Sequence, residues 1–212
     1  MITDSIAVNA EGWLWPKADE FTWPTVNEEL AEIPELVALC RQRRVCIQAG
    51  GNCGRWVKPL SDLFERVYTF EPDQINFHCL VHNVPRDNVV FTQAALGDGV
   101  GMIEVDRWCG PRNPGANRVH PRNKGSIPRL TVDGFKFDDV DLIQFDIEGM
   151  EMQALKGAED TIARCRPVIC LELRNHANTY GHTDDEIRGW LAVRGYRIVK
   201  RMFCDEFFIP EN

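Results

Sequence analysis

The sequence predicts an α/β fold with a Rossmann-like, doubly wound sheet that is mostly parallel, seven-stranded and closed by a C-terminal antiparallel hairpin strand. From residue 33 onward, short apolar runs alternate with segments whose apolar residues recur at helical spacing. This alternation indicates a parallel sheet with helices on both faces. The last two apolar runs, 196–199 and 207–209, have only seven residues between them. That is too short for a crossover helix, so these runs should pair antiparallel.

The individual elements follow in order. Strands are expected at 45–49, 67–70, 89–91, 142–145 and 168–171. Helical stripes lie between these strands at Leu36, Val37 and Cys40, at Leu60, Leu63 and Phe64, at Phe77, Leu80 and Val81, and at Met152, Leu155, Ala158 and Ile162. The last helix should begin at the capping box that starts with Thr183 and end at Gly195.

Residues 1–32 differ from the α/β domain that we expect over 33–212. This N-terminal arm is rich in aromatic residues and contains Pro16 and Pro24, so it should be irregular. Its rings either pack against the domain or form a wall beside a ligand site.

Composition narrows the class of protein. The net charge of −8 argues against a general nucleic-acid or anionic-membrane binder, and no apolar run is long enough to span a membrane. The first residues show neither a basic nor an apolar signal segment, so we expect a cytoplasmic protein. Its eight cysteines lack metal-binding spacing and fit buried, reduced thiols better than a disulfide framework. The sequence leaves the oligomeric state open.

The loop at 48–54 is the clearest sign of a binding site. It joins a buried strand to a helix, and its glycines should let the backbone approach a ligand while the helix start offers free N–H groups. Glu71 follows the next strand, where a carboxylate can accept hydrogen bonds from both hydroxyls of a ribose. Together these features favour an adenosine-containing ligand over a structural turn. Asn52 stands where G-x-G-x-x-G has its second glycine, which disfavours a nicotinamide dinucleotide.

Motifs between residues 40 and 210 resemble those of class I S-adenosylmethionine-dependent methyltransferases, and more narrowly those of the FkbM family. The matching stretches are 48–54, 70–72, 94–98, 130–133, 146–149, 156–158 and 172–173. The resemblance implies that 33–212 is an S-adenosylmethionine-dependent methyltransferase domain whose acceptor is a hydroxyl of a sugar, glycan or related metabolite. Gln48 departs from the family, which usually has an acid there. An amide accepts hydrogen bonds but cannot neutralise the ammonium of the methionine moiety.

The resemblance also implies the cofactor contacts. The methionine end should be lined by Gln48, Gly50, Gly51, Asn52 and Gly54. The ribose should lie on Glu71 and Pro72, and the adenine beside Gln93, Ala94 and Ala95. Asp146 should lie near the amino group or the transferring methyl.

Transfer to a hydroxyl also requires that the acceptor lose its proton. The candidate bases Asp146, Glu148, Glu172 and His176 follow two neighbouring strands, at the edge of the sheet where ligands bind. Alternatively, Asp146, Glu172 and Asn175 hold a divalent metal through oxygen ligands. A third interpretation is that Glu148 and Glu172 only cap loops.

The segment 107–130 is basic, with six Lys or Arg residues and no acid. It should be a long loop on the acceptor side. One interpretation is a lid whose Arg112, Arg118 and Arg122 bind an anionic acceptor. The other is a solvated loop whose arginines pair with the acidic body.

Two other functions remain open. The basic segment is compatible with a nucleic-acid or nucleotide methyltransferase, although no Asn-Pro-Pro-Tyr-type motif follows the fourth strand. A non-enzymatic nucleotide-binding module or a nicotinamide-dependent oxidoreductase is disfavoured by the missing G-x-G-x-x-G and by the terminal hairpin.

Overall fold

The structure is a computed structural model that describes residues 2–120 and 124–211. Its strands are β1 (Ile6–Val8), β2 (Leu14–Pro16), β3 (Val45–Ala49), β4 (Arg66–Phe70), β5 (Val89–Thr92), β6 (Ala95–Leu96), β7 (Gly101–Ile103), β8 (Val105–Asp106), β9 (Arg118–Val119), β10 (Ile127–Leu130), β11 (Val140–Phe145), β12 (Val168–Glu172), β13 (Tyr196–Met202) and β14 (Asp205–Pro210). Its α-helices are α1 (Thr22–Glu29), α2 (Glu32–Ala38), α3 (Val57–Leu63), α4 (Gln74–Asn83), α5 (Glu151–Lys156), α6 (Glu159–Cys165) and α7 (Asp184–Ala192). Short 3₁₀ helices lie at Ile2–Ser5, Pro114–Ala116, Asp133–Phe135 and His176–Tyr180.

The main sheet has seven strands in the order β13-β14-β12-β11-β3-β4-β5. Strand β14 runs antiparallel to β12 and β13, and the other pairs are parallel. The predicted fold class, including the terminal hairpin, is confirmed. The chain leaves β3 toward β4 and β5 and later continues at β11, on the other side of β3. This reversal makes the carboxyl ends of β3 and β11 the expected ligand site.

Both faces of the sheet are covered by helices, because the central strands are apolar at almost every position. On one face, Ile47 and Ile143 pack with buried side chains of α5, α6 and α7. On the other face, Cys46 and Leu142 pack with buried side chains of α2, α3 and α4. Such double burial accounts for the unbroken apolar runs from which these strands were predicted.

The N-terminal arm is more regular than expected. It contains the hairpin β1–β2 and helix α1, so the prediction of an irregular segment was wrong. Asn83 at the end of α4 holds the hairpin, since its amide exchanges two hydrogen bonds of 2.8 Å with the backbone of Leu14. Trp15 is buried and meets Trp23 of the arm edge to face at 4.8 Å between ring centroids, and both rings pack in a cluster with Cys53 and Cys79 of the domain. The arm is therefore fastened to the domain by polar and aromatic contacts.

The basic segment is not a plain loop. It contains Pro114–Ala116, β9 and β10; β9 pairs with β8, and β10 joins β6 and β7 in a small three-stranded sheet. The prediction of a long loop was therefore wrong for these stretches. Arg122 lies outside the described residues. Among the helices that the structure describes, none is long and apolar enough to cross a membrane. The eight cysteines are free thiols.

Candidate functional site

A cavity of about 310 Å³ runs along the carboxyl edge of the main sheet, from the ends of β4 and β5 to the end of β12. The candidate residues that line it are Gly50, Gly51, Asn52, Glu71, Pro72, Ala94, Ala95, Arg118, Asp146, Glu148, Glu172 and His176. The described candidates that do not line it are Gln48, Gly54, Gln93, Arg112 and Asn175. The four candidate bases thus lie together in one wall.

The glycine loop bends back across the end of β4. The N–H groups of Gly50 and Gly51 both donate to the carbonyl of Phe70, at 3.0 and 3.1 Å, and the Asn52 N–H donates to Glu71 Oε2 at 2.8 Å. These three loop N–H groups are therefore already bonded within the protein. Helix α3, whose start was expected to supply free N–H groups, begins only at Val57, three residues after Gly54.

Gly50 has a specific steric reason to be glycine. Its φ is +83°, and an added Cβ would lie 1.8 Å from the backbone oxygen of Asp146. This close approach joins the loop after β3 to the loop after β11, the two strands at which the chain reverses direction.

Gln48 and Gly54 have structural roles in this arrangement. Gln48 is buried, and its Oε1 accepts a hydrogen bond of 2.6 Å from the Thr69 hydroxyl on β4. Gly54 has φ +95°, and an added Cβ would lie 2.6 Å from Cγ2 of Val84. Gln48 therefore bonds to the neighbouring strand, and Gly54 leaves the room that Val84 occupies. The cofactor contacts of both residues stay predictions.

Glu71 lies buried at the end of the cavity beside β4. Its Oε1 accepts from the Asp73 N–H at 2.7 Å, and its Oε2 accepts from the Asn52 N–H. Burial, with Asp73 nearby, raises the pKa of Glu71 to about 8. Each carboxyl oxygen can accept more than one hydrogen bond, so Glu71 can take a ligand hydroxyl without losing its backbone partners.

At the other end of the cavity, His176 contacts Glu148. The distance from His176 Nδ1 to Glu148 Oε2 is 2.8 Å, and this contact raises the pKa of His176 above its usual value. Glu148 has φ +56°, a left-handed conformation that costs free energy in a non-glycine residue and often marks functional sites. Oε1 of Glu151 holds the loop by accepting from the N–H groups of Ile147 and Gly149, at 3.1 and 3.3 Å.

Two further carboxyls lie beside this pair. Burial and the charge of Glu148 raise the pKa of Asp146 to about 6. Burial and the charges of Asp146 and Glu148 raise the pKa of Glu172 well above its usual value. The interaction between these two carboxyls opposes the rise in the pKa of Asp146 and adds to the rise in the pKa of Glu172.

The sequence analysis missed three charged residues of the cavity, Arg174, Glu29 and Arg55. Arg174 lies 2.8 Å from Glu172 (Nε to Oε1) and 3.2 Å from Glu29 of α1 (Nη2 to Oε1). Burial raises the pKa of Glu29 to about 7. Arg174 follows Glu172 by two residues and Arg55 directly follows the glycine loop, so their positions in the sequence could have identified them. Glu29 lies in the arm, for which the sequence suggested only the aromatic rings as a wall beside a ligand site.

The residues that could hold a metal ion differ from the predicted set of Asp146, Glu172 and Asn175. Within the described chain, the ligand atoms of Glu148, Glu172 and His176 all lie within 4.8 Å of one another. Asn175 is not part of this group, and its N–H donates to Asp184 at 2.9 Å. Two carboxylates and an imidazole form a donor set that fits a divalent cation.

The arginines of the basic segment are paired with acids. Arg112 lies 3.2 Å from Glu20, on the surface and away from the cavity lining. Arg118 lines the cavity, stacks 4.7 Å above the ring of Trp108 and lies 3.3 Å from Asp106. These contacts support the interpretation that the arginines pair with the protein body. Of the two described arginines proposed to bind an acceptor, Arg118 lines the cavity and Arg112 does not.

Comparison with known proteins identifies the family. The family model described as "Methyltransferase FkbM domain" matches residues 50–198, well over half of the chain. No curated protein sequence matches. Among solved structures, the FkbM methyltransferase from Methylobacillus flagellatus KT is similar, with a TM-score of 0.53 and 18% identity over 79% of this chain. This chain covers 43% of that protein.

Two further structures share the fold. N-methyltransferase NodS from Bradyrhizobium japonicum WM9 has a TM-score of 0.54 and 9% identity, covering 89% of this chain and 98% of that one. Precorrin 8W decarboxylase from Methanobacterium thermoautotrophicum has a TM-score of 0.51 and 13% identity, covering 98% of both chains. These identities show the fold alone, whereas the family match extends from the glycine loop to β13. The chain belongs to the FkbM methyltransferase family.

Proposed function

We propose that this enzyme methylates a hydroxyl of a sugar, glycan or related metabolite, with His176 as the general base. The observation that carries the proposal is the contact of 2.8 Å between His176 and Glu148 in the cavity wall. This pair lies at the opposite end of the cavity from Glu71. A donor that spans the cavity from Glu71 would direct its methyl group toward His176.

The cavity supports a specific placement of the cofactor. S-adenosylmethionine supplies an electrophilic methyl carbon bonded to a sulfonium. Glu71 would accept hydrogen bonds from the ribose, and Ala94 and Ala95 would flank the adenine. Gly50 and Gly51 would allow the methionine end to approach the backbone. Asp146 would face the ammonium group, a role that the uncharged and buried Gln48 does not fill.

Residues of this chain can take up the proton that the acceptor hydroxyl must lose. The acceptor oxygen bonds to the methyl carbon as the carbon–sulfur bond breaks, and the electron pair of that bond stays on sulfur. The proton of the hydroxyl passes to Nε2 of His176. Glu148 accepts a hydrogen bond from Nδ1, which fixes the ring tautomer and stabilises the imidazolium that forms.

Replacing the base tests this assignment. His176→Gln should lower kcat by about 10²- to 10⁴-fold, the usual contribution of a general base. The affinity for S-adenosylhomocysteine should not change. Labelled-methyl transfer to pooled sugars, nucleotide sugars and oligonucleotides would measure the rate and compare the acceptor classes. His78→Gln on the exposed face of α4 is the matched control. Wild-type kcat in His176→Gln would refute the role of His176.

A metal is the second candidate for activating the hydroxyl, because Glu148, Glu172 and His176 lie within ligating distance of one point. A divalent cation bound there would lower the pKa of the hydroxyl that it contacts. With His176 as the base, EDTA leaves the rate unchanged. Loss of activity in EDTA and its recovery with Mg²⁺ or Mn²⁺ would favour the metal instead.

A further inference from the structure

Two aromatic side chains at the cavity are only half covered by protein. Phe21, in the arm just before α1, and Trp108, in the basic segment, each expose 51% of their surface, and both line the cavity. Aromatic rings gain free energy when their faces are covered. Arg118 stacks on one face of Trp108. The exposed parts of the two rings therefore form the surface that a flat, partly apolar ligand can cover.

Hydrogen bonds position the Trp108 ring and the chain segment that carries Phe21. The indole N–H of Trp108 donates to the Ala116 carbonyl at 2.9 Å, on the far side of its own loop. The arm and the basic segment are joined where Glu20 N–H donates to the Arg112 carbonyl and where Gly115 N–H donates to the Thr22 hydroxyl, both at 2.9 Å. Phe21 lies between Glu20 and Thr22, so it is fixed relative to the segment that carries Trp108.

The cavity wall is rich in carboxyl groups. Glu29, Asp146, Glu148 and Glu172 all line it, and Arg174 bridges two of them. The one arginine of the basic segment that lines the cavity, Arg118, is already paired with Asp106. Arg55 also lines the cavity, and its guanidinium stacks on the rings of Trp13 and Trp23. The carboxyl groups of the wall therefore outnumber its arginines, and each of these arginines is already engaged by an acid or by aromatic rings.

The charge of this wall bears on which acceptors it can take. A sulfonium cofactor would offset part of the negative charge of the carboxyl groups. A phosphate or carboxylate on the acceptor would bring further negative charge beside them.

We propose that Phe21 and Trp108 form the two sides of an acceptor-binding mouth, which stacks on the ring of an uncharged polyol and lies above a carboxyl-rich wall that excludes phosphorylated and carboxylated acceptors. A pyranose-like ring has an apolar C–H face for the aromatic rings and hydroxyl edges for the carboxyls. This inference rests on the proposed methyl transfer. It makes the arm, which lies outside the family match, part of the acceptor site.

The acceptor class can be tested with matched compounds. Labelled-methyl transfer would be measured on neutral monosaccharides and methyl glycosides, each beside its phosphate ester and its uronic acid. Transfer at least about 10-fold more efficient to the uncharged members supports the inference, since like charges inside a protein repel by a kcal/mol or more. Equal or better transfer to a charged member overturns it.

The same assay separates two kinds of failure. Transfer to none of these compounds, with S-adenosylhomocysteine still bound, overturns the acceptor class alone. If S-adenosylhomocysteine does not bind, the proposed function itself fails.

Substitutions test the two rings. Phe21→Ala and Trp108→Ala should each raise the acceptor KM by roughly 2- to 10-fold, the value of one aromatic contact. The kcat and the affinity for S-adenosylhomocysteine should stay unchanged, and Phe21→Tyr and Trp108→Phe should retain the low KM. Phe203→Ala, an exposed ring in the turn between β13 and β14, is the control. An unchanged acceptor KM in both alanine variants would contradict the proposal that these two rings bind the acceptor.

Discussion

Glu71 accepts two backbone hydrogen bonds while it lines the cavity, so its carboxyl is held in a fixed orientation before any ligand binds. We expect Glu71→Gln to weaken S-adenosylhomocysteine binding by about 10-fold or more, because one of the two accepting oxygens becomes an NH2 group and a buried hydrogen-bond partner left unsatisfied costs about 1–3 kcal/mol. Isothermal titration calorimetry would measure the change. Glu65→Gln, an exposed substitution just before β4, is the control, and circular dichroism would verify the fold. Equal affinities in the two variants would refute the ribose contact.

His176 and Glu148 predict a pH dependence. A base must be unprotonated to act, so kcat should rise with pH through the pKa of His176, which Glu148 raises. Glu148→Gln removes that negative charge, so the acidic limb of the kcat–pH profile should move to lower pH, and the plateau should fall. A limb that stays in place would show that another group limits the rate.

The candidate residues show how much of the site could be predicted from the sequence. Asp146, Glu148, Glu172 and His176 were selected because they follow neighbouring strands, and they do lie in one cavity wall, although their roles are still predictions. Glu29 could not be selected in this way, because a helix far away in sequence brings it to the site.

At the scale of elements, strands buried on both faces were predictable and short edge structures were not. Runs of mostly apolar residues predicted β3, β11 and β12. The two- and three-residue strands of the arm and the basic segment carry no periodic pattern, so β1, β2, β8 and β9 were missed. Helix α1 was missed because its sequence is largely polar and contains Pro24.

The contact between the arm and the basic segment can be tested at Thr22. Its hydroxyl accepts from Gly115 N–H and donates to Asn113 Oδ1 at 3.1 Å, and the residue is buried. Thr22→Val keeps the shape but removes both hydrogen bonds, so the free energy of unfolding should fall by about 1–3 kcal/mol. Hydrogen exchange should accelerate across 107–120.

Thr25→Val is the matched control, because Thr25 is an exposed position of the same helix whose hydroxyl bonds only to the Phe21 carbonyl. Equal stability and equal exchange rates in the two variants would show that the arm does not hold the segment.

For the whole molecule, buried acids predict lower stability at higher pH. Burial raises the pKa of Glu71 and Glu151 to about 8 and that of Glu29 and Glu32 to about 7. A carboxyl whose pKa is higher in the folded state binds its proton more tightly there. Its stabilising contribution is therefore complete below the unfolded value of about 4.3 and is lost as pH rises through the folded value.

Thermal unfolding followed across that pH range should show the Tm falling between about pH 5 and pH 8.5. Glu32 is fully buried and outside the cavity lining, so Glu32→Gln should make the slope shallower. Lys17→Gln, on the surface of the arm, should leave the slope unchanged. A Tm that rises with pH would contradict the claim that burial raises the pKa of these carboxyls in the folded state.

The central claim is that an adenosyl sulfonium donor lies along the carboxyl edge between Glu71 and the His176–Glu148 pair. A crystal structure with bound S-adenosylhomocysteine would test it most directly. We expect the ribose hydroxyls within hydrogen-bond distance of Glu71, the adenine beside Ala94 and Ala95, and the sulfur facing His176. A product molecule bound elsewhere, or one that leaves Glu71 without a ligand contact, would contradict the account.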